Sequence, residues 1–284
     1  MLNYNYARYL PERLESIFAQ SYPVLEILLL DDASTDDSLA VARAAAAQAG
    51  RELRYILSEK NSGSVFAQWR RAAMAARGEY IWLCEADDSA APEFLSHLLD
   101  SMGAEQPLLA FTDSRAVNAD GAQVMPSYQS YYFASGVKTL AASKTWASDE
   151  FARQILTVRN LIPNVSAVLW RRDALLAALQ SVPDLESWRL AGDWRLYLAL
   201  LCGQPGTVTY IAEPLNTHRR HAGGVTARLD AAAHVAEIAR MHAIAAQAFA
   251  LPPTVRAVQA EYVASITTQL GAEPPPPVAR RRKV

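Results

Sequence analysis

The sequence predicts an α/β protein with a mostly parallel sheet flanked by helices. In the first half of the chain, short apolar runs alternate with stretches in which apolar residues recur at helical spacing. A continuous apolar run is typical of a parallel strand, because helices cover both faces of such a sheet. The runs are EILLL from Glu26, LRYIL from Leu53, EYIWLC from Glu79 and LLAFT from Leu108. The helical stretches between them are PERLESIFAQ, DDSLAVARAAAAQ and SVFAQWRRAAMAAR.

The second half of the chain repeats the alternation and then changes character. Its strand and helix patterns are NVSAVLW, RRDALLAAL, GDWRLYLALL and TVTYI. Between the two halves, from Asn118 to Trp146, the pattern weakens and aromatic residues cluster, which predicts long loops of the kind that carry binding functions. We expect one main domain over residues 1–226, an alanine-rich helical appendage over 227–270 and a disordered, proline-rich basic tail over 271–284.

Composition and charge narrow the classes of function. Of the 284 residues 51% are hydrophobic and 20% charged, and the net charge of -2 gives no general attraction to nucleic acid. Cys84 and Cys202 each lie in an apolar stretch, which predicts buried thiols in a reducing compartment, with the cytoplasm as default. There is no apolar run of membrane-spanning length. The basic run at Arg280 to Lys283 offers peripheral contact with an anionic membrane face, although a solvated terminus or linker is the interpretation we favour.

Two predicted strands end in carboxylates. EILLL is followed by Asp31 and Asp32, and EYIWLC runs into Glu85-Ala86-Asp87-Asp88. Ligands of open parallel sheets bind beyond the carboxyl ends of the strands, so these side chains are expected to face a crevice. Neighbouring carboxylates raise one another's pKa, and a bound Mg²⁺ or Mn²⁺ normally relieves that repulsion. The alternatives are that Asp31 and Asp32 only cap the next helix, and that the Glu85 cluster is a solvated loop.

A third acidic position lies in the second half of the chain. Asp193, in the segment Gly192-Asp193-Trp194, begins a strongly apolar helical pattern. Taken alone, such an aspartate is more often a helix cap than a catalytic base.

Taken together and in this order, these segments resemble family 2 of the glycosyltransferases, from about Asn3 to Thr226. NYNYARYLPERLESIFAQSYPVLEILLLDDASTDDS resembles the nucleotide-binding opening of the family, which implies that Tyr4 and Asp32 hold the base. NSGSVFAQWRRAAMAARGEYIWLCEADD resembles the segment that leads into the metal motif. This likeness implies that Asp88 binds the metal and that Asp87 binds the ribose. Glu85 stands where many members have aspartate.

The later segments extend the resemblance to the catalytic residues. GDW resembles the segment that bears the catalytic base, which implies this role for Asp193. HRRHAGGVT resembles a stretch that closes on the donor, which implies that Arg219 and His221 bind it; a solvated loop is the alternative.

The resemblance implies a GT-A fold and an inverting, Mn²⁺- or Mg²⁺-dependent transfer in one displacement, with Asp193 as general base. The donor is expected to be a UDP- or dTDP-sugar, and the acceptor a glycan or lipid-linked glycan of surface polysaccharide synthesis. Fold-level likeness does not fix the sugar or the acceptor.

Two other functions remain open. One is a nucleotide- or carbohydrate-binding module without turnover, because the apolar strand expected before Tyr4 is missing from the sequence. In the family this strand lies between the strands that end at Asp32 and near Asp87. We therefore expect unpaired backbone groups there, a marginal fold, and a natural protein that extends upstream by a β-branched run. The other, a phospho-accepting receiver domain suggested by LLLDD, is weaker, because no strand-end lysine accompanies a phospho-acceptor.

Overall fold

The computed structural model describes residues 1–103, 107–221 and 230–272. The expected α/β architecture is confirmed, and each apolar run of the first half forms a strand. The basic run lies outside the described residues, as do the expected boundary at residue 226 and nearly all of the tail. Among the described residues, no helix is both long and apolar enough to cross a bilayer.

The amino-terminal part is a three-stranded parallel sheet in the order β1, β2, β3. Its strands are β1 (Leu2–Asn3), β2 (Leu28–Asp31) and β3 (Arg54–Leu57). The helices of this part are α1 (Leu10–Phe18), α2 (Ser38–Gln48) and α3 (Val65–Ala75). Leu10, Leu14 and Ile17 recur at helical spacing on α1 and are buried in one cluster with Leu29 of β2. The cluster fixes α1 against the sheet.

The expectation that the first strand is missing is wrong. Leu2 and Asn3 form β1, which pairs with β2 in parallel, and Leu2 also makes a parallel bridge to Glu85. The Leu2 amide donates to the Cys84 carbonyl at 2.8 Å, and the Asp32 amide donates to the Asn3 carbonyl at 3.0 Å. Two residues therefore suffice to pair the backbone groups that we expected to be left without partners. The strand lies where it was expected, between the ends of β2 and β4.

The second sheet has seven strands and is mixed, which corrects the expectation of a mostly parallel sheet. Along it run β4 (Tyr80–Trp82), β9 (Val168–Arg171), β6 (Leu109–Val117), β10 (Thr207–Arg219) and β5 (Ser89–Ala90), in that order. β7 (Gln123–Met125) pairs with β6, and β8 (Lys144–Ala147) pairs with β10. Among the strands that the structure describes in this sheet, only β6 and β10 are parallel neighbours; the other pairs are antiparallel.

Seven further helices complete the described structure: α4 (Phe94–Met102), α5 (Gln129–Ala134), α6 (Ser148–Ile155), α7 (Arg172–Ser181), α8 (Gly192–Gly203), α9 (Ala231–Ala248) and α10 (Pro253–Leu270). Short 3₁₀ helices lie at Lys138–Ala141, Val165–Ala167 and Leu185–Ser187. The segment 118–146, expected to be long loops, thus holds β7, α5 and most of β8.

The core extends from the sheets into the C-terminal helices. Met241 and Ala245 of α9 belong to the same buried cluster as Trp194 of α8. Cys84 is buried as expected, but the expectation for Cys202 is wrong because its side chain is exposed. Cys202 lies in the last turn of α8, where the apolar pattern ends.

Candidate active site

Three carboxylates converge where the chain leaves β4. Ligand oxygens of Glu85, Asp87 and Asp88 all lie within 4.8 Å of one another. The segment is anchored on one side by the Leu2–Cys84 hydrogen bond and on the other by β5, which pairs with β10. The sequence pattern predicted this convergence, and the two sheets meet at it.

Asp88 is buried and held from two distant parts of the chain. One carboxylate oxygen accepts from the Arg219 backbone amide at 2.9 Å, and the other accepts from Nδ2 of Asn164 at 2.9 Å. An ionised carboxylate has about four acceptor positions, so both oxygens keep capacity for a further ligand. The carboxylate is therefore oriented but not saturated.

The electrostatics of the cluster favour a cation. Burial, followed by the charges of Asp88, Asp87 and Asp193, raises the pKa of Glu85 well above its ordinary value, and Arg13 opposes this effect. Burial and the charge of Asp88 raise the pKa of Asp87 to about 6, although its hydrogen bond with His221 lowers it. Nε2 of His221 lies 2.9 Å from Oδ2 of Asp87. Carboxylate oxygens are the ligands that Mg²⁺ and Mn²⁺ prefer, so the donor set fits a hard divalent cation.

Asp193 lies in the first turn of α8 and is partly buried. Its Oδ2 accepts from Nδ2 of Asn160 at 2.8 Å, and its Oδ1 accepts from the Trp194 amide at 2.6 Å. Burial raises the pKa of Asp193 to about 7, and the charge of Glu237 adds to this rise. A carboxylate with a pKa near neutrality is suited to accept a proton. Since Asp193 also raises the pKa of Glu85, its charge acts on the acidic cluster.

Asp32 lies at the carboxyl end of β2, as expected, within a separate hydrogen-bonded group. Its oxygens accept from Ser58 Oγ at 3.0 Å, Ser62 Oγ at 2.7 Å and Gln68 Nε2 at 2.6 Å. Tyr4 follows β1, and 43% of its surface is exposed. The two residues expected to bind the nucleobase thus differ in their surroundings: Asp32 is hydrogen-bonded within the chain, whereas the Tyr4 side chain is exposed to solvent.

Arg219 reaches the site, but its guanidinium group faces the protein. Nε donates to the Asp87 carbonyl at 2.9 Å, Nη1 donates to the Asn118 carbonyl at 3.1 Å, and Nη2 pairs with Glu12. The guanidinium carbon also lies 4.9 Å from the ring centroid of Tyr9. These contacts fix the end of β10 against the acidic segment, which is a positioning role.

Sequence reasoning missed the polar residues that orient the carboxylates. Asn160 and Asn164 hold Asp193 and Asp88 respectively, and both lie in the short segment NLIPN before β9. The pattern that could have indicated these residues is the pair of asparagines that flanks Leu-Ile-Pro in this segment. Arg13 was also missed: it is fully buried on α1, and its guanidinium carbon lies 4.6 Å from the ring centroid of Trp82.

The fold and the acidic site together define a class. Over 94% of its length the chain matches S. aureus TarS 1-349, solved with UDP-GlcNAc, at a TM-score of 0.65, 17% identity and 71% coverage of that chain. It also matches the mannosyltransferase PcManGT of Pyrobaculum calidifontis, solved with GDP-Man and Mn²⁺, at a TM-score of 0.61, covering 95% of this chain and 73% of that one. These likenesses show a GT-A glycosyltransferase fold.

The sequence assigns the chain within that class. Residues 1–170 match Glycosyl transferase family 2, and the chain belongs to this family. An uncharacterized Mycobacterium tuberculosis protein, Rv1520, is 29% identical over 228 residues, which are 79% of this chain. The matched part is 58% of the length of that relative.

Proposed function

We propose that the chain transfers a sugar from a nucleoside-diphosphate donor to an acceptor hydroxyl with inversion at the anomeric carbon. The observation that carries this proposal is the convergence of three carboxylates within 4.8 Å, together with a fourth, Asp193, whose pKa is about 7. The cluster has the chemistry to bind a cation at a diphosphate, and Asp193 has the chemistry to accept a proton.

Each residue of the site has a role in this proposal. Asp88 is the ligand of the divalent cation, Mn²⁺ or Mg²⁺, and Asp87 binds the ribose. A bound cation would neutralise negative charge on the nucleoside diphosphate that leaves. Asp193 takes the proton of the attacking hydroxyl at Oδ1 or Oδ2 and is oriented for this by Asn160. Because one carboxylate serves the sugar and no second nucleophile is invoked, the linkage inverts.

The donor side completes the assignment. Tyr4 and Asp32 contact the nucleobase of the donor. To do so, Asp32 exchanges one of its hydrogen bonds from Ser58, Ser62 or Gln68 for one from the nucleobase. His221 contacts the donor beside Asp87, and Arg219 acts by holding the backbone of Asp87. The donor is a UDP- or dTDP-sugar and the acceptor a glycan or lipid-linked glycan, used at the cytoplasmic face of the membrane in surface polysaccharide synthesis. The relatives solved with UDP-GlcNAc and GDP-Man support the nucleotide-sugar class.

The test is a donor screen. UDP-, dTDP- and GDP-sugars are incubated with the protein and Mn²⁺ or Mg²⁺. The release of the nucleoside diphosphate and the thermal stabilisation of the protein are both measured. We expect one donor class to be turned over, excess EDTA to abolish turnover, and NMR of the product to show the inverted anomer. Full activity in excess EDTA would contradict metal dependence. Stabilisation by a donor without turnover under any condition would instead support the binding module.

Asp88→Asn tests the metal ligand directly. The substitution keeps the shape that accepts from Arg219 and contacts Asn164 but removes the charge, so turnover and Mn²⁺ affinity should fall at least about 100-fold. Asp120→Asn is the matched control, because Asp120 is exposed and pairs only with Arg8 among the ion pairs of the described residues. Unchanged Mn²⁺ binding by a folded Asp88→Asn variant would remove Asp88 from the metal site.

A further inference from the structure

A surface groove of about 390 Å³ lies between α10, α5 and the segment that follows α6. Its polar and aromatic lining consists of Tyr131, Arg159, Glu261, Tyr262, Ser265 and Gln269. The groove is distinct from the acidic cluster, and no step of the proposed transfer uses it.

The lining matches a carbohydrate better than other ligands. Two tyrosines supply aromatic surface and Val258 and Ile266 supply apolar surface. Arg159 covers one face of the Tyr262 ring, with its guanidinium carbon 4.3 Å from the ring centroid, and the His242 ring lies 6.2 Å from the same ring. The remaining groups include donors and acceptors, which sugar hydroxyls require because each hydroxyl both donates and accepts. Glu261 offsets the charge of Arg159, which disfavours a polyanion such as nucleic acid. The polar groups disfavour a lipid chain.

The groove is joined to the side of the site that bears the proposed base. The Tyr131 hydroxyl donates to the Asn160 carbonyl at 3.3 Å, and the Asn160 side chain donates to Asp193 at 2.8 Å. On the other side, Gln259 of α10 donates to the Thr157 carbonyl at 2.6 Å. The segment 157–160 therefore lies between the groove and Asp193. A glycan that spans from Asp193 to the groove must pass along this segment.

We propose that this groove binds the non-reacting sugar units of an oligosaccharide acceptor. The proposal rests on the proposed function, since it makes the groove an extension of the acceptor site. It specifies the acceptor class: a neutral glycan of two or more sugars, one of which contacts Tyr262.

The first test measures binding without a donor. Saturation-transfer NMR is recorded with neutral glucose, galactose, mannose and N-acetylhexosamine glycans, from monosaccharides to hexasaccharides. Ser265→Trp fills the groove from an exposed position, and Tyr262→Ala removes the ring; each should weaken oligosaccharide binding about fivefold or more. Thr268→Trp is the matched control, because Thr268 is exposed on the same helix outside the lining. If no glycan of the panel gives a signal that Ser265→Trp weakens, the proposal is wrong.

The second test separates the groove from the chemistry. Hydrolysis of the donor by water does not require the groove, so wild type and Ser265→Trp should release the nucleoside diphosphate at equal rates. In transfer to an oligosaccharide, the KM for the oligosaccharide should be higher for Ser265→Trp than for wild type. An equal loss of both rates would mean that the substitution perturbs the site itself and would overturn the proposal. Absence of metal-dependent donor cleavage in the wild type would refute the proposed function, and the binding measurement would then decide alone whether the groove holds glycans.

Discussion

Asp193 carries the sharpest prediction at the scale of single residues. Because burial raises its pKa to about 7, we expect kcat to rise with pH through about 7, as the carboxylate loses its proton. Asp193→Asn keeps the shape but cannot accept a proton, so kcat should fall about 100-fold or more while donor affinity is kept. Rate profiles over pH 5 to 9 for both proteins give the measurement.

The same substitution decides between a base and a helix cap. A carboxyl whose pKa is raised by folding weakens stability when it ionises, so Asp193 costs stability as pH rises from about 4 to about 7. Asp193→Asn should therefore have a higher Tm than wild type at pH 8 and an equal Tm at pH 4. A cap would leave the Tm close to that of wild type at both pH values, because asparagine caps helices about as well as aspartate. Asp173→Asn is the control, since exposed Asp173 likewise accepts from the next backbone amide in the first turn of α7, at 2.6 Å, although it also pairs with Arg171 at 2.7 Å.

Arg219 is expected to act on stability before it acts on the donor. Its side chain bonds to two carbonyls and to Glu12, and lysine cannot reproduce that three-way contact. We expect Arg219→Lys to lower the free energy of unfolding by about 2 kcal/mol, because two part-buried hydrogen bonds to carbonyls and the pairing with Glu12 are lost. Urea unfolding measures it. A normal unfolding curve with a raised donor KM would indicate instead that Arg219 binds the donor directly.

The sequence could predict which carboxylates form the site but not what orients them. The strand end is visible in the sequence and pointed to Asp87 and Asp88 as candidates, whereas Asp193 became a candidate base only through the resemblance of GDW. The partner of Arg219, Glu12, lies 207 residues away, and no local pattern announces such a contact. The acceptors of the Arg219 guanidinium depend on where β10 ends in the folded sheet, so its direction could not be read from the sequence HRRH.

At the scale of elements, Glu237 connects α9 to the turn that holds Asp193, the proposed general base. The carboxylate of Glu237 accepts from three successive backbone amides, those of Arg189, Leu190 and Ala191, at 2.7 to 2.8 Å. These amides immediately precede α8 and therefore set its first turn, in which Asp193 lies. Glu237 acts as a positioning residue for Asp193.

Glu237→Gln should lower kcat about tenfold, since the amide cannot accept from all three donors. It should also move the acidic limb of the rate profile to lower pH, because the charge of Glu237 raises the pKa of Asp193. Among the described residues, the charge of Asp193 also acts on Glu85 and Tyr197, and the substitution alters neither of them. Glu186→Gln, at an exposed position, is the control. A loss of stability with an unmoved pH profile would make the contact purely structural.

Elements were predicted well where apolar runs are long and poorly where strands are short. β2, β3, β4 and β6 follow clear apolar runs, whereas β5 is only Ser89 and Ala90, and β1 only Leu2 and Asn3. A strand of two residues is too short to show a hydrophobic periodicity, so neither strand could be recognised from the sequence. Strand direction has no hydrophobic signature once a strand is buried on both faces, which is why a mostly parallel sheet was expected although β9 is antiparallel to both of its neighbours.

At the scale of the whole molecule, Leu2 joins the two sheets. Its amide donates to the Cys84 carbonyl beside the acidic cluster. The flanking carbonyls of Met1 and Asn3 accept from the amides of Leu30 and Asp32, at β2 of the first sheet. Leu2→Pro removes that amide and should lower the free energy of unfolding by about 3 kcal/mol and weaken donor binding. Thermal melts and donor titrations measure both effects, and Leu2→Val, which keeps the amide, is the control. Equal donor affinity in a destabilised Leu2→Pro variant would show that the two halves align without this contact.

The two residues that hold Asp88 also determine when the site can exist during synthesis. Asn164 follows Asp88 by 76 residues and Arg219 follows it by 131. At typical ribosomal rates, on the order of ten seconds separate the emergence of Asp88 from that of Arg219. From the synthesis of β6 until that of β10, the long strand β6 lacks its parallel neighbour and presents an open edge, on which nascent chains can aggregate. A chain that stalls before Arg219 therefore carries the whole acidic motif without the amide that orients it, and with a strand edge suited to capture a chaperone or another copy.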